Sequence, residues 1–376
     1  MRIKAAVLRE SGLERPYTKS RPLRIEEVEL ADPGPGEVRL RMAAASLCHS
    51  DLSVVDGVRP RPLPMVVGHE AAGVVEAVGE GVADLAVGDH VVTVFVPMCG
   101  RCASCRDGRP ALCTPGNAAN GKGELLGGGR RLSQNGAPIH HHVGVSGFAE
   151  GAVVSQHSVV KVDPAIPLQL AALFGCAVLT GAGAVLNTGK LEAGGTLAVV
   201  GCGGVGLNAV MAGKLVGCRH VVAVDLVPEK LAAAKRFGAT LTVDARANDA
   251  IQQIREATGG GVDVAVETAG TLPALELAYE ITARGGTTVT AGLAPPDKAL
   301  AVNQVRLVAE ERTLKGSYVG SCVPQRDLPR FLALQQAGLM PVEKLIDRTI
   351  GLDDLNDALE ALAAGSALRQ VVTFPG

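Results

Sequence analysis

The stretch from Thr196 to Asp225 restricts the architecture of this chain more than any other. "TLAVVG" reads as a short buried strand, "GGVGLNAVMAGKLVG" as a helix and "HVVAVD" as a second strand. Strands separated by a helix pair in parallel through a crossover, so a sheet covered by helices is implied. The rhythm continues downstream. "PEKLAAAKRFGA" and "LPALELAYEITARG" read as helices, and "LTVD", "VDVAVETAG" and "GTTVTAG" as strands. An α/β domain of the Rossmann type, with a doubly wound parallel sheet, is expected over 178–319.

The turn after the first of these strands carries Gly201-x-Gly203-x-x-Gly206, with Gly204 and Val205 inside it. Such glycines permit a tight turn and let a pyrophosphate approach the helix N-terminus. Asp225 ends the next strand nineteen residues after Gly206 (225 − 206), where a carboxylate accepts hydrogen bonds from an adenosine ribose. That carboxylate would repel a 2′-phosphate, and "DLVPEK" places no Arg immediately after it, so NAD is favoured over NADP. A glycine turn that binds no nucleotide is the alternative.

At 376 residues the chain has room for two domains. Residues 1 to about 100 alternate Val-rich runs ("EVRLRMAAAS", "AAGVVEAVG", "GDHVVTVFV") with turn signals, which suggests a compact β domain. Residues 106–148, rich in Gly and Asn, are expected to form a long surface loop. The last fifty or so residues read as two short helices and a terminal strand, "RQVVTF". With no Trp and 2% aromatic residues, the core must be built from Ala, Val and Leu.

A net charge of −2 offers no electrostatic reason for a nucleic-acid or anionic-membrane partner. The uncharged stretches Pro164–Gly189 and Ala193–Gly213 reach the ~20 residues of a bilayer span. Both are broken by Gly, Pro or polar residues, so they are expected to be interior segments. "MRIKAAVLRE" has too short an apolar run for a signal-peptide core, which implies a cytoplasmic protein.

The nine cysteines are unevenly placed. Cys99, Cys102, Cys105 and Cys113 share the run "CGRCASCRDGRPALC", whose short intervals would let four thiolates wrap one zinc ion at ~2.3 Å. Two disulfides or an iron–sulfur cluster are the alternatives. With four protein ligands no position is left for a substrate, so a zinc here would be structural. Cys202, Cys218 and Cys322 read as buried thiols.

The motifs "LCHSD", "GHEAAGVVEAVG", the four-cysteine lobe, "GCAVLTG", "VVGCGGVG…VVAVD" and "LKGSYVGS" occur together and in order over nearly the whole chain. In this the chain resembles the zinc-dependent medium-chain alcohol dehydrogenases. The resemblance implies a β-rich, GroES-like catalytic domain over 1–177 and 320–376, with the active site in a cleft beside the Rossmann domain. It implies two zinc ions per subunit, NAD, and a small-molecule alcohol or aldehyde as partner. By it Cys48, His69 and Cys176 bind a catalytic zinc with one position left open. Asp51 would hydrogen-bond His69, Glu70 would lie near the ion, and Ser50 would accept the alcohol proton. His49 and Arg369 match phosphate-contacting positions, and Lys230 lies where the adenosine ribose should be. Phe95, His142, Val143 and Ala294 match pocket walls. "GTTVTAGL" resembles the edge strand that pairs such domains, which implies a homodimer or homotetramer.

Departures from the family pattern matter too. Ser53 stands where the well-studied animal enzymes end a proton relay with His, so the proton must leave by water or another base. His49 stands where Arg is frequent, and would make cofactor binding weaken as pH rises through its titration. The three histidines of "IHHHVG" cannot all face one ion on a regular strand. Polar His142, with Arg59 near the mouth, makes the pocket less uniformly apolar. Two other readings compete: a thiol-dependent formaldehyde dehydrogenase of the same family, and a nucleotide-binding interaction protein that has lost catalysis. The latter should lack a ligand among Cys48, His69 and Cys176, and none is missing. A zinc-ribbon nucleic-acid binder would need a basic surround that the lobe lacks.

Overall fold

The computed structural model describes residues 1–375. They form two compact units. The first comprises Met1–Cys176, Val323–Leu332 and the chain from Val342 onward; the second comprises Ala177–Cys322 and Ala333–Pro341.

In the first unit, Arg2–Leu8, Leu23–Leu30, Leu132–Gln134, Ala137–His141 and Met65–Val66 close into a small barrel. A seven-stranded sheet is built around Glu37–Ser46, which pairs antiparallel with Glu70–Val78, Gly151–Ser155 and Arg369–Thr373. Alternating Val, Leu, Met and Ala from these strands fill the core, with Phe148 among its largest fully buried side chains. The expected surface loop over 106–148 is corrected here. It contains a helix, Thr114–Lys122, and two barrel strands, and Val145, Ser146 and Phe148 are fully buried. Glycine-rich composition masked short strands whose apolar partners, Leu132 and Ile139, lie on either side of a two-residue turn at Asn135–Gly136.

The second unit is a six-stranded parallel sheet: β1 (Thr196–Val200), β2 (His220–Asp225), β3 (Leu241–Asp244), β4 (Val262–Glu267), β5 (Thr282–Thr290) and β6 (Thr313–Gly316). All neighbours pair in parallel, in the order β3-β2-β1-β4-β5-β6. This is the strand order of a dinucleotide-binding fold, whose ligands lie beyond the carboxyl ends of the strands. Helices α1 (Gly204–Val216), α2 (Pro228–Phe237), α3 (Ala250–Thr258), α4 (Leu272–Ile281) and α5 (Gln304–Ala309) connect them. The strand "GTTVTAG", expected at a sheet edge, lies inside the sheet as β5, between β4 and β6; the edges are β3 and β6. β5 also begins earlier than expected, and its register with β4 shifts between Val262 and Val264.

Cys202 and Cys322 are buried as expected, whereas Cys218 is only half-buried. Among the described residues no single helix is long and apolar enough to cross a membrane. The two helical stretches within 164–189 meet at a 49° bend, and nearly all their side chains from Leu170 to Val185 are buried in the protein.

Candidate metal centres and nucleotide site

Strand register explains how distant residues reach one point. Ser46 pairs with Glu70, and Val371 with Ser46. Continuing both ladders two residues beyond Ser46 sets Cys48 beside the His69–Glu70 corner and opposite Arg369. Cys176 arrives separately, at the end of a 3₁₀ turn, Ala172–Gly175, laid against the strand His90–Thr93. A side chain at Gly175 would put its Cβ 2.1 Å from the Thr93 carbonyl oxygen, so this approach requires glycine. Cys48, His69, Glu70 and Cys176 each offer a ligand atom within 4.8 Å of the others, and all four are buried.

Asp51 lies in the first turn of the helix His49–Val55. One of its carboxylate oxygens accepts a hydrogen bond from the Cys48 amide (3.0 Å), and the other faces His69 Nδ1 at 2.9 Å. With Nδ1 engaged, His69 Nε2 is buried with no partner. Burial works to raise the Asp51 pKa, but His69 and His142 outweigh it and hold the carboxyl below its usual range. Burial likewise works to lower His69, but the Asp51 carboxylate reverses the sign and pushes the imidazole well up. Cys48 is pushed down and Cys176 up, chiefly through the hydrogen bond between the two thiols. An orphaned imidazole nitrogen beside an easily ionised thiol is a donor set suited to a divalent, borderline-soft ion, and Cys2His with one open position is a catalytic zinc pattern. The residues fit zinc.

Glu70 is fully buried, and both its oxygens lie 3.0 Å from Arg369 Nη1, which also donates to the Leu47 carbonyl at 3.3 Å. Burial raises the Glu70 carboxyl to about 7, although Arg369 opposes the shift. Arg369 is itself 4% exposed, with a buried Nε lacking a partner. The sequence pointed to each residue singly; their pairing across 299 positions was not legible.

Phe95 packs edge-on against His69 with ring centroids 5.2 Å apart, and His142 does so at 5.4 Å. His142 Nδ1 stands 3.4 Å from Asp51, too far for a full hydrogen bond, and is otherwise unpartnered. The three histidines of "IHHHVG" do face three ways. His140 receives Arg130 Nε at 3.0 Å, and His141 accepts the Arg131 amide at 3.1 Å. Val143 is buried at φ 44°, a left-handed conformation costly for a β-branched residue. Ser50 is half-buried and His49 exposed on the same helix, and Ser53 donates to the His49 carbonyl at 3.0 Å. Ala294 is half-buried in the second unit, in the loop after β5.

The second cysteine cluster is local. Cys99, Cys102, Cys105 and Cys113 bring their sulfurs within 4.8 Å of one another. Backbone amides do much of the holding: Cys99 and Gly116 donate to Cys113 Sγ at 3.3 and 3.4 Å, and Cys102 to Cys99 Sγ at 3.3 Å. Amides aimed at sulfur favour thiolates, and they are the first cause that lowers Cys102 to about 6. A Cβ at Gly116 would sit 2.1 Å from the Pro97 carbonyl oxygen, so glycine closes the lobe. Four converging sulfurs with amide support fit one tetrahedral zinc.

In the second unit, Gly201 has φ 97°, and a Cβ at Gly206 would lie 1.8 Å from the Gly201 carbonyl oxygen. A Cβ at Gly203 would meet nothing within 4 Å, so the space over this turn is open. Gly204 and Val205 begin α1, whose first turn has no side-chain cap and no acidic residue. Its amides and dipole are therefore available to a pyrophosphate. Asp225 accepts the Cys202 and Val227 amides at 2.7 and 2.9 Å, which braces the turn, and Lys230 lies half-buried in α2. This cradle fits a nicotinamide dinucleotide.

Fold and sites together define a two-unit, zinc-binding dehydrogenase. Residues 34–164 match the alcohol dehydrogenase GroES-like domain, and residues 204–337 match the zinc-binding dehydrogenase domain. "Putative alcohol dehydrogenase D" of Mycobacterium tuberculosis is 42% identical, over 99% of this chain and 100% of that protein. An alcohol dehydrogenase zinc-binding domain protein from Burkholderia ambifaria matches all of both chains with 36% identity and a TM-score of 0.94. The benzyl alcohol dehydrogenase of Acinetobacter calcoaceticus does so with 30% identity and 0.93. A zinc-binding dehydrogenase structure from Sinorhizobium meliloti, 25% identical over all of both chains with a TM-score of 0.80, is bound to NADP. The chain belongs to the zinc-dependent medium-chain alcohol dehydrogenase family.

Proposed function

We propose that this enzyme oxidises an alcohol reversibly to an aldehyde or ketone with NAD. The buried, unpartnered Nε2 of His69 beside Cys48 and Cys176 carries the reading. Cys48, His69 and Cys176 would hold a zinc ion supplying Lewis acidity to an alcohol oxygen, and the Gly201–Gly206 turn would hold NAD as the hydride acceptor. Asp51 fixes the His69 tautomer so that Nε2 presents its lone pair. Glu70, neutralised by Arg369, adds a carboxylate within reach of the same point. Ser50 takes the alcohol proton, and because Ser53 is committed to a backbone carbonyl, the proton leaves through water. Phe95, His142 and Val143, on the first unit, shape the substrate pocket.

Asp225 supports NAD over NADP, since a 2′-phosphate would meet a carboxylate. Lys230, half-buried in α2, contributes a cationic group toward the cofactor. Nine cysteines without a disulfide among them suit a reducing, cytoplasmic setting. The homo-oligomer is supported by β6, which pairs on one side only, and by exposed Val305, Val308 and Leu314 nearby.

Reduced cofactor appearing when the protein is mixed with benzyl alcohol, hexanol or ethanol tests the reading, with NAD and NADP in parallel and with or without a zinc chelator. Chelator-sensitive turnover with NAD is expected, with benzyl alcohol tried first because a similar enzyme is a benzyl alcohol dehydrogenase. No turnover on any alcohol by zinc-loaded protein overturns it, and a rate that appears only when formaldehyde is given with a thiol moves the substrate to the thiol adduct.

A further inference from the structure

The second unit also contains a cleft of about 430 Å³ walled by charged side chains. Gly260 precedes β4, Glu280 precedes β5, Arg284 lies early in β5, and Glu310 and Arg312 precede β6. These are the amino ends of the parallel strands. The glycine turn follows the carboxyl end of β1, and Asp225 ends β2. The cleft therefore lies at the opposite end of the sheet from the nucleotide cradle.

Four guanidiniums, Arg255, Arg284, Arg306 and Arg312, meet two carboxylates, Glu280 and Glu310, an excess of two positive charges (4 − 2). The carboxylates are engaged mainly with two of the arginines. Arg306 lies 2.6 Å from Glu280 and 3.6 Å from Glu310, and Arg312 lies 2.6 Å from Glu310. Arg312 also donates to the Tyr279 carbonyl and stacks over that ring at 5.1 Å. It is thus a fixed wall.

Arg255 and Arg284 are differently placed. Arg255 donates through Nη2 to the Glu280 carbonyl at 2.7 Å and reaches a Glu280 carboxylate oxygen only at 3.5 Å. Its Nε is shielded from water and has no partner. Arg284 is exposed, and one of its nitrogens donates to the Ala309 carbonyl at 3.2 Å. A shielded, unpaired donor is costly, and turning this guanidinium toward an anion in the cleft it lines would relieve that cost.

We propose that this cleft binds a small phosphate-bearing anion through Arg255 and Arg284. The two excess charges match a dianion. Arg255 on α3 and Arg284 on β5 both line the cleft, and two forked donors find more acceptor oxygens on a phosphate than on a carboxylate. The volume exceeds what one phosphate fills, leaving room for the organic part of a phosphomonoester.

The test is calorimetric titration of the full zinc-loaded chain at constant ionic strength, with NADH present to occupy the glycine turn. Inorganic phosphate and glycerol 3-phosphate are the two probes. Saturable binding of one molecule per chain is expected, and the tighter probe shows whether the site takes free phosphate or the ester. Arg284→Ala and Arg255→Gln should each weaken it about tenfold or more, with Arg284→Lys in between and NADH affinity unchanged. Arg284 is exposed, so its loss does not threaten folding. No saturable binding of either probe overturns the proposal, as does binding that both variants leave unchanged.

Discussion

Cys48 and Cys176 lie at 6% and 5% exposure, delivered by elements 128 positions apart (176 − 48), with Asp51 and an Arg369–Glu70 pair packed around them. The four sulfurs of 99–113 lie in a lobe where only Cys113 is buried, within fifteen residues, and are steadied by backbone amides. In the first cluster the fold must exist before the ligands meet. In the second the ligands are already close along the chain, and an ion would help to make the fold. A site assembled by tertiary structure can leave one position open for chemistry, whereas a local four-sulfur site has no position to spare.

The largest effect that separates the two follows from removing a ligand at each. Cys48→Ser should lower kcat/KM by about a thousandfold or more, roughly 4 kcal/mol, while the melting temperature moves little and bound zinc falls by one ion per chain. Unfolding of this variant at ordinary temperature would break the comparison, because the buried cluster would then also be scaffolding.

Cys105→Ser should act the other way. Loss of a local structural metal removes folding free energy directly, so protease cutting within 99–122 and a lower melting temperature are expected before any change in the kinetics of surviving enzyme. An effect of about 2–4 kcal/mol would still leave a folded core, since the lobe contributes few residues to it. Full stability with three sulfurs would show that the lobe needs no metal.

Asp51→Asn probes the support behind one ligand. An amide keeps the shape but offers His69 a weaker acceptor, and loss of such outer partners commonly costs 10–100-fold in metal affinity. Competition with a zinc chelator should show that loss at the buried site alone. Equal zinc affinity in variant and parent would mean that packing, not the carboxylate, orients His69.

At neutral pH the smallest effect is that of His141, whose contribution shows only as the solution is acidified. Burial pushes the His141 imidazole down to about 3. Its folded pKa lies below the unfolded value, so its contribution is complete above about pH 6.5 and is lost as pH falls toward 3. His141→Asn should flatten the stability slope in that window by up to about 1.4 kcal/mol per pH unit, read from denaturant midpoints. An unchanged slope would assign acid sensitivity to the metal ligands.

The sequence is most informative where interactions are local. The four-cysteine spacing, the glycine turn and the alternation after residue 190 were legible because a few neighbouring residues determine each of them. The sequence misleads over 106–148, where glycine-rich composition conceals strands that exist only because the barrel pairs them. The inner strand β5 reads as an edge from its own residues, since these do not say what lies on its far side. Cys218 was expected to be buried on residue type alone and is half-buried.

What the sequence determined by itself was the chemical inventory: which thiols, imidazoles and carboxylates exist, the strand–helix alternation of the second unit, and the local loop that groups four sulfurs. Antiparallel register alone decided that Cys48, His69 and Arg369 share one corner, because pairing Ser46 with both Glu70 and Val371 is a long-range choice made by the whole sheet. Only that packing could bury Glu70 against Arg369 and leave His69 Nε2 without a partner. Burial and charge pairing are sums over neighbours that sequence separation does not encode.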